Sequence, residues 1–445
     1  MSFQILILIF FFLNKLSNSK ILFVYHHIRH GIRTPIKLDK NNEDFYGYYW
    51  DINGKMTDTG KRMLYLLGIN FRNKYKNFLS NSYEPREIYV TSTWIERTLI
   101  SAQCFLTGLY SNIKLNESSN IENKKNFPPL NQNKQLKEIL QNKNNKLNNL
   151  LLIPPIHHYF KSNHYTLLEL ENSFSDCILN NKNQENLINS KLTQNKIKYF
   201  KDKFGKGLSL FKNISINEIN NYSFYKIFEI CDSLLCDINE LTNLTKINNL
   251  ENFGININEY IEFCSDFALD TWNGDIVNGN KDVVFMGQSP LFKDLIKYMD
   301  KRIQLDQNNN SKKLEYGKPK FFLYFGHDVS ITANMKLMQF IFGFKLIRCV
   351  FSSNIYIELE KDDYSNQYYI NYLLNDELKY KIKYNEFKEK ILKIIWSEKE
   401  INDYCNFTIK TNFKDKTSLY KKIIFTISLL LIANLFIVIV FKIKK

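Results

Sequence analysis

Arg29-His30-Gly31-Ile32-Arg33-Thr34-Pro35 closes an apolar, strand-like run, Ile21 to Tyr25, near the N-terminus. Far downstream, Gly326-His327-Asp328 closes a second such run, Phe321-Phe322-Leu323-Tyr324-Phe325. Each segment puts a histidine where a buried strand ends, and open α/β sheets bind ligands at the ends of their strands. The residues between these segments carry the helical periods expected of such a sheet. Thr57 to Leu79 has Met63, Leu66, Leu67, Phe71 and Tyr75 at spacings that place them on one helical face. Glu87 to Thr91 reads as a strand, and Ile95 to about Tyr110 as the next helix. Strand, helix, strand, helix predicts an α/β domain.

The chemistry follows from residue types. A phosphate monoester presents nearly two negative charges, so its enzyme must gather cations around the phosphoryl oxygens. Arginine suits this because its planar fork donates to two oxygens at once. Arg29 and Arg33 flank His30, Gly31 lets the backbone approach a ligand closely, and Pro35 fixes the exit of the turn. Ser92-Thr93 is followed by Glu96 and then Arg97-Thr98 at the start of a helix, a location favourable to anions. His327-Asp328 adds one more cation and one acid. His26 and His27, inside the first strand, read as packing residues, and His157, His158 and His164 as a surface facing substrate or a weak metal site.

These motifs resemble the histidine acid phosphatase family. Arg29, His30, Gly31, Arg33 and Pro35 match its nucleophile pattern in full. Trp50 to Gly68 is similar to its following segment, and Ser92-Thr93, Arg97-Thr98 and Ser101-Ala102 to its next one. Gly287 to Met299 is similar to the helix before the HD strand, and Trp396 through Cys405 to the closing segment. Met56 and Met63 depart from the pattern. The resemblance implies a mixed central β-sheet flanked by helices, a phosphoglycerate mutase-like core. It also implies His30 as the nucleophile, Asp328 as the proton donor, Arg29, Arg33, Arg97 and His327 as phosphoryl ligands, and neither cofactor nor metal. The implied disulfides are Cys236 with Cys349 and Cys177 with Cys405; Cys104, at an apolar position on the helix after Arg97, reads as a buried free thiol, and Cys231 and Cys264 stay unassigned.

Organisation follows composition. Residues 20–111 read as the first part of the core and 261–415 as the second. Residues 112–260, rich in Asn and Lys, read as an inserted helical cap with loops at 112–148 and 179–197 and a helix over Tyr222 to Leu235. Asn354 to Glu360 and Tyr368 to Leu374 predict a hairpin. Residues 1–19 read as a signal peptide, with the apolar run Ile5 to Leu13 too short to span a bilayer. Ile423 to Phe441 is uncharged and predicts a transmembrane helix, followed by a cytosolic tail at 442–445. A lipid-anchor signal is the alternative. The predicted topology is a single-pass type I membrane protein whose lumenal or extracellular domain carries all seven cysteines and the sequons at Asn116, Asn213, Asn221, Asn243, Asn309 and Asn406. The compartments that fit are lysosome-like organelle, secretory vesicle and cell surface.

The formal charge of +15 would suit an anionic partner, but the lysines are dispersed among asparagines with no basic-aromatic stripe. That pattern speaks against nucleic acid. The expected reaction is acid hydrolysis of small phosphate monoesters, with a homodimer possible by family resemblance. The alternatives are a phytase or inositol-polyphosphate phosphatase, and a catalytically silent membrane glycoprotein that binds phosphorylated ligands.

Overall fold

The sheet is built around β1 (Ser19–Arg29), which runs past the expected Tyr25 because His26, His27 and Ile28 continue the buried stretch. The computed structural model describes residues 19–81, 83–111, 154–158, 185–240, 245–267, 281–310, 313, 318–346 and 348–405. The expected signal peptide (1–18 of it), transmembrane helix and tail lie outside these residues. Among the described residues no helix is long and apolar enough to cross a membrane.

β1 is followed by α1 (Asp58–Lys74), β2 (Ile88–Ser92), α2 (Glu96–Leu109) and the short β3 (Ile156–His158). After an inserted helical region come α8 (Lys281–Gln307), β4 (Phe321–Gly326), α9 (Asp328–Phe342), β5 (Asn354–Asp362), β6 (Gln367–Leu374), β7 (Glu377–Lys383) and α10 (Tyr384–Leu392). The short helix α11 (Glu398–Cys405) belongs to a separate C-terminal unit. The sheet order is β3-β2-β4-β1-β5-β6-β7. β3, β2, β4 and β1 are parallel neighbours, and β5 to β7 are antiparallel, so the expected mixed sheet is found. Every residue of β4 is buried, as a strand covered on both faces requires.

α1 begins at Thr57, whose hydroxyl accepts the Gly60 N–H as an N-cap. It buries Leu64 and Phe71 on the sheet, where Phe71 meets Phe105, Phe321 and Tyr356. Leu66, expected on that face, is instead exposed. The buried stripe runs through Gly60, Leu64, Gly68 and Phe71, one residue round from the alignment read in the sequence. Gly68 and Gly108 let α1 and α2 cross in close contact, since a Cβ on either would overlap backbone of the other helix.

The insertion comprises α3 (Lys191–Lys212), α4 (Ile216–Asn220), α5 (Phe224–Asn239), α6 (Thr245–Asn248), a 3₁₀ turn (Asn249–Phe253) and α7 (Ile257–Phe267). Phe200, Phe204, Phe224, Tyr260 and Phe267 form a core of their own there. The loop expected at 179–197 gives way to α3 from residue 191, because Ser190 caps it by accepting the Thr193 N–H. The loop expected at 112–148 lies outside the described residues.

The disulfide expectation is corrected. Cys231 on α5 and Cys264 on α7 are bonded, their Cα atoms 4.8 Å apart within the insertion's core. Cys236 and Cys349 are free thiols, and so is the half-buried Cys104. Cys236 lies one turn beyond Cys231 and faces Arg33 instead, with Sγ 3.6 Å from Nη1. The Cys177–Cys405 pair falls outside what is described, because Cys177 lies in the stretch 159–184.

Candidate active site

Strand register assembles the site. Arg29 is level with Gly326 across β1 and β4, and Ser92 with Phe325 across β2 and β4. The residues that follow, His30, His327 and Thr93, therefore leave the sheet side by side at the carboxyl ends of three parallel strands. The backbone continues the ladder: His30 N–H donates to Gly326 O at 3.0 Å and Thr93 N–H to Phe325 O at 3.1 Å. α2 and α9 both begin here, adding the positive ends of two helix dipoles.

His30 is 2% exposed. Its Nδ1 lies 2.8 Å from Gly31 O, and a carbonyl can only accept, so Nδ1 carries the proton. Nε2 therefore holds the lone pair. The ring centroid is 5.4 Å from that of His327 and 5.8 Å from that of Phe351. Burial, then Arg97, Arg29, His327 and Arg33, hold the imidazole well below its ordinary titration range. The result is a neutral imidazole in acid solution.

Gly31 has a different role from the one its sequence suggested. A Cβ there would lie 2.5 Å from Gly60 O, 2.7 Å from Leu64 Cδ2 and 2.8 Å from Met56 Cε. The glycine admits α1, not a ligand, against the turn that carries His30. Its N–H donates to Ser101 Oγ at 3.2 Å, so α2 also braces the turn.

The expected cations converge on the same place. The Arg29 guanidinium stacks on Phe351 at 4.4 Å and donates to Asp328 Oδ2 at 2.6 Å and Cys349 O at 2.7 Å. Arg97 Nη2 donates to His327 Nδ1 at 3.3 Å, and His327 Nε2 lies 3.2 Å from Thr93 Oγ1. That pair of contacts makes Nε2 the protonated nitrogen of His327. Burial and Arg97 push the His327 imidazole down to about 3, against the opposing pull of Asp328.

Arg33 is held by a residue the sequence did not single out. Asp232 on α5 accepts from both of its terminal nitrogens, Nη2 at 2.8 Å and Nη1 at 3.0 Å, and both side chains are buried. The Nε groups of Arg29 and Arg33 are buried without a hydrogen-bond partner. Such donors are costly unless an acceptor arrives. An anion would supply one.

Asp328 is the partly accessible member, its side chain 31% exposed. Oδ1 accepts the Val329 N–H at 2.9 Å. Burial raises its carboxyl, but Arg29, His327, Arg33 and the Val329 amide outweigh that and leave it below the usual carboxylate range. His26 is stacked between Phe71 and Tyr356, and His27 Nε2 bonds Ser330 Oγ at 3.0 Å, so both serve packing. His157 stacks on Tyr89 in β3, and His164 lies outside the described residues. Among the described residues no cluster of His, Cys, Asp and Glu is suited to a metal ion.

A neutral buried histidine amid three arginines at the ends of parallel strands is an arrangement suited to holding an anion and attacking it. The sequence matches the family model of the histidine phosphatase superfamily (branch 2) over residues 12–375, and the chain belongs to that superfamily. It is 38% identical over 112 residues to a lysosomal acid phosphatase of Xenopus laevis, covering 24% of this chain and 25% of that protein. It is 34% identical over 111 residues to the human prostatic acid phosphatase, covering 25% and 29%. The matched stretches thus span only about a quarter of these relatives. In three dimensions it is similar to the phytase of Citrobacter braakii, with a TM-score of 0.55, 12% identity and coverage of 87% and 99%. The Hafnia alvei phytase in complex with tartrate gives a TM-score of 0.52, 12% identity and coverage of 87% and 98%. At that identity the likeness concerns the fold alone.

Proposed function

We propose that this protein is an acid phosphatase that hydrolyses phosphate monoesters through a phosphohistidine on His30. The observation that carries the reading is the Nδ1–H to Gly31 O hydrogen bond, which leaves Nε2 as the nucleophile of a neutral imidazole. Nε2 attacks phosphorus, the P–O bond to the leaving group breaks, and Asp328 gives its proton to the departing alkoxide. Water then attacks phosphorus, the P–N bond breaks, and Asp328 takes the water's proton. Arg29, Arg33, Arg97 and His327 hold the phosphoryl oxygens throughout. An incoming oxygen replaces His327 Nδ1 as acceptor for Arg97 and satisfies the orphaned Nε groups.

Asp328 is ionised in the free site because Arg29 pairs with it. The substrate's own negative charge draws Arg29 away and raises the carboxyl, so the proton arrives with substrate at acid pH. Activity therefore falls as pH rises. Lumenal placement, with residues 1–19 a signal peptide and 423–441 an anchor, is supported by the Cys231–Cys264 disulfide and the exposed sequon residues Asn213, Asn221 and Asn309. Names such as lysosomal and prostatic acid phosphatase among its relatives fit a lysosomal or secretory compartment. The inserted helices act as a cap that selects the leaving group.

The test is hydrolysis of an alkyl monoester, glycerol 2-phosphate, from pH 4 to 8 by the full chain made in a secretory host, beside His30→Ala. Acid-peaked turnover that vanishes in the variant is expected, with a phosphoenzyme trapped only in the wild type. A properly folded wild type without turnover on this or any other alkyl monoester would overturn the reading.

A further inference from the structure

We propose that Asp232 is a positioning residue for the phosphatase site, setting the guanidinium of Arg33 from the inserted helix α5. The argument rests on the phosphatase reading for what Arg33 does, but its geometry is independent of it. Asp232 takes both terminal nitrogens of Arg33 in a fork-to-fork pair, and its Oδ2 also accepts the Ile36 N–H at 2.9 Å. One carboxylate thus fixes the arginine and the chain three residues beyond it. With Nη1 and Nη2 committed, the Nε edge is the face of the guanidinium left for a ligand, and it is buried and unsatisfied.

The same face of α5 continues the grip. Cys236, one turn on, places Sγ against Arg33 Nη1. Glu240, a further turn on at the helix end, accepts from Thr57 Oγ1 at 2.7 Å and Thr59 Oγ1 at 2.8 Å. Those threonines open α1, whose Gly60 packs on the nucleophile turn. Asp232, Cys236 and Glu240 are spaced four residues apart, so they form one row along the helix. That row spans both ends of the loop between Arg33 and α1. Asp237, beside the row, is buried, and Asp44 in the middle of that loop acts on its carboxyl electrostatically. The turn that carries His30 and Arg33 is therefore shaped from the insertion.

The experiment is a double-mutant cycle on the full chain with Asp232→Asn, Arg33→Ala and the double variant, plus Asp232→Glu. Two quantities are read: kcat and KM for p-nitrophenyl phosphate, and the Kd of inorganic phosphate by calorimetry. Asp232→Asn should lower kcat/KM about ten- to a hundredfold, because loss of orientation by an ångström has effects of that size. In the Arg33→Ala background the same change should cost less than about threefold, since the group it positions is gone. Asp232→Glu, which keeps the charge, should restore most of the phosphate affinity, an effect that a merely structural carboxylate would not produce. If Asp232→Asn leaves too little folded protein, Asp232→Glu and the charge-neutral double variant carry the comparison. Equal losses with and without Arg33, or no change in phosphate Kd, would overturn the positioning role while leaving the phosphatase reading intact. A wild type that binds phosphate but does not hydrolyse would sink the phosphatase reading, and the phosphate Kd values would still decide the role of Asp232.

Discussion

Keeping buried histidines neutral as the pH falls has a stability cost that can be worked out. His27 and His327 titrate at about 3 in the fold and near 6.5 when unfolded. Their folded pKa values are depressed, so the unfolded chain binds the extra protons. Their stabilising contribution is complete above pH 6.5 and is lost as pH falls toward 3. Between pH 7 and 5 each loses about 1.9 kcal/mol of stability, from the protonation of the unfolded chain alone. His26 and His30, both held well below the ordinary range, add to the loss in the same direction. Asp237 opposes them. Burial and the neighbouring Asp44 raise its carboxyl to about 10, so it gives back roughly 2.7 kcal/mol over the same interval as pH falls. Four histidines against one carboxyl leave a net loss in acid. Urea unfolding followed by circular dichroism at pH 7, 6 and 5 should show it, with Asp237→Asn steepening the acid slope. Added phosphate should restore stability, because it binds only the folded site. An unfolding free energy that is flat or rising from pH 7 to 5 in Asp237→Asn would refute the account of these buried imidazoles.

Asp328→Asn should lower hydrolysis of an alkyl phosphate by about 10²–10⁴-fold but that of p-nitrophenyl phosphate far less, since nitrophenolate leaves without a proton; equal losses on both substrates would remove Asp328 as the donor. Gly31→Ala should destabilise the fold by roughly 3 kcal/mol or more and depress activity, because backbone oxygen of Gly60 stands in the way of the new methyl. A Tm within a degree of wild type would show that α1 does not press on this turn. Cys231→Ser with Cys264→Ser should cost about 3–4 kcal/mol of stability for a 33-residue separation while leaving kcat near wild type at 25 °C, checked by paired melting and rate measurements.

The candidate site was legible as a cluster because its residues are concentrated at strand ends. An apolar run ending in Arg29-His30 and another ending in His327-Asp328 needed only a parallel register to meet, and β1 and β4 supply it. The central strands and the first two helices could be read because buried runs and helical spacing are local signals. What escaped was long-range. Asp232 is an unremarkable acid in an amphipathic helix, and only the fold brings it to Arg33. Gly31 looked like a ligand-facing glycine, but its neighbour is Gly60 of α1. The pairing of Cys231 with Cys264 depended on how α5 and α7 face each other, which sequence spacing does not encode. β7 was missed since its alternation of lysines with Leu378, Tyr380 and Ile382 is mostly exposed and carries little apolar weight.

The grip of α5 on the loop that follows His30 limits how far this protein can be taken apart. A chimera that exchanged residues 185–267 for the corresponding helices of a relative would transplant more than a lid. It would remove the carboxylate that anchors Arg33 together with the threonine contacts that start α1. New substrate preference acquired by such recombination must therefore bring its own equivalent of Asp232, or arrive through point changes on the surface of the existing helices.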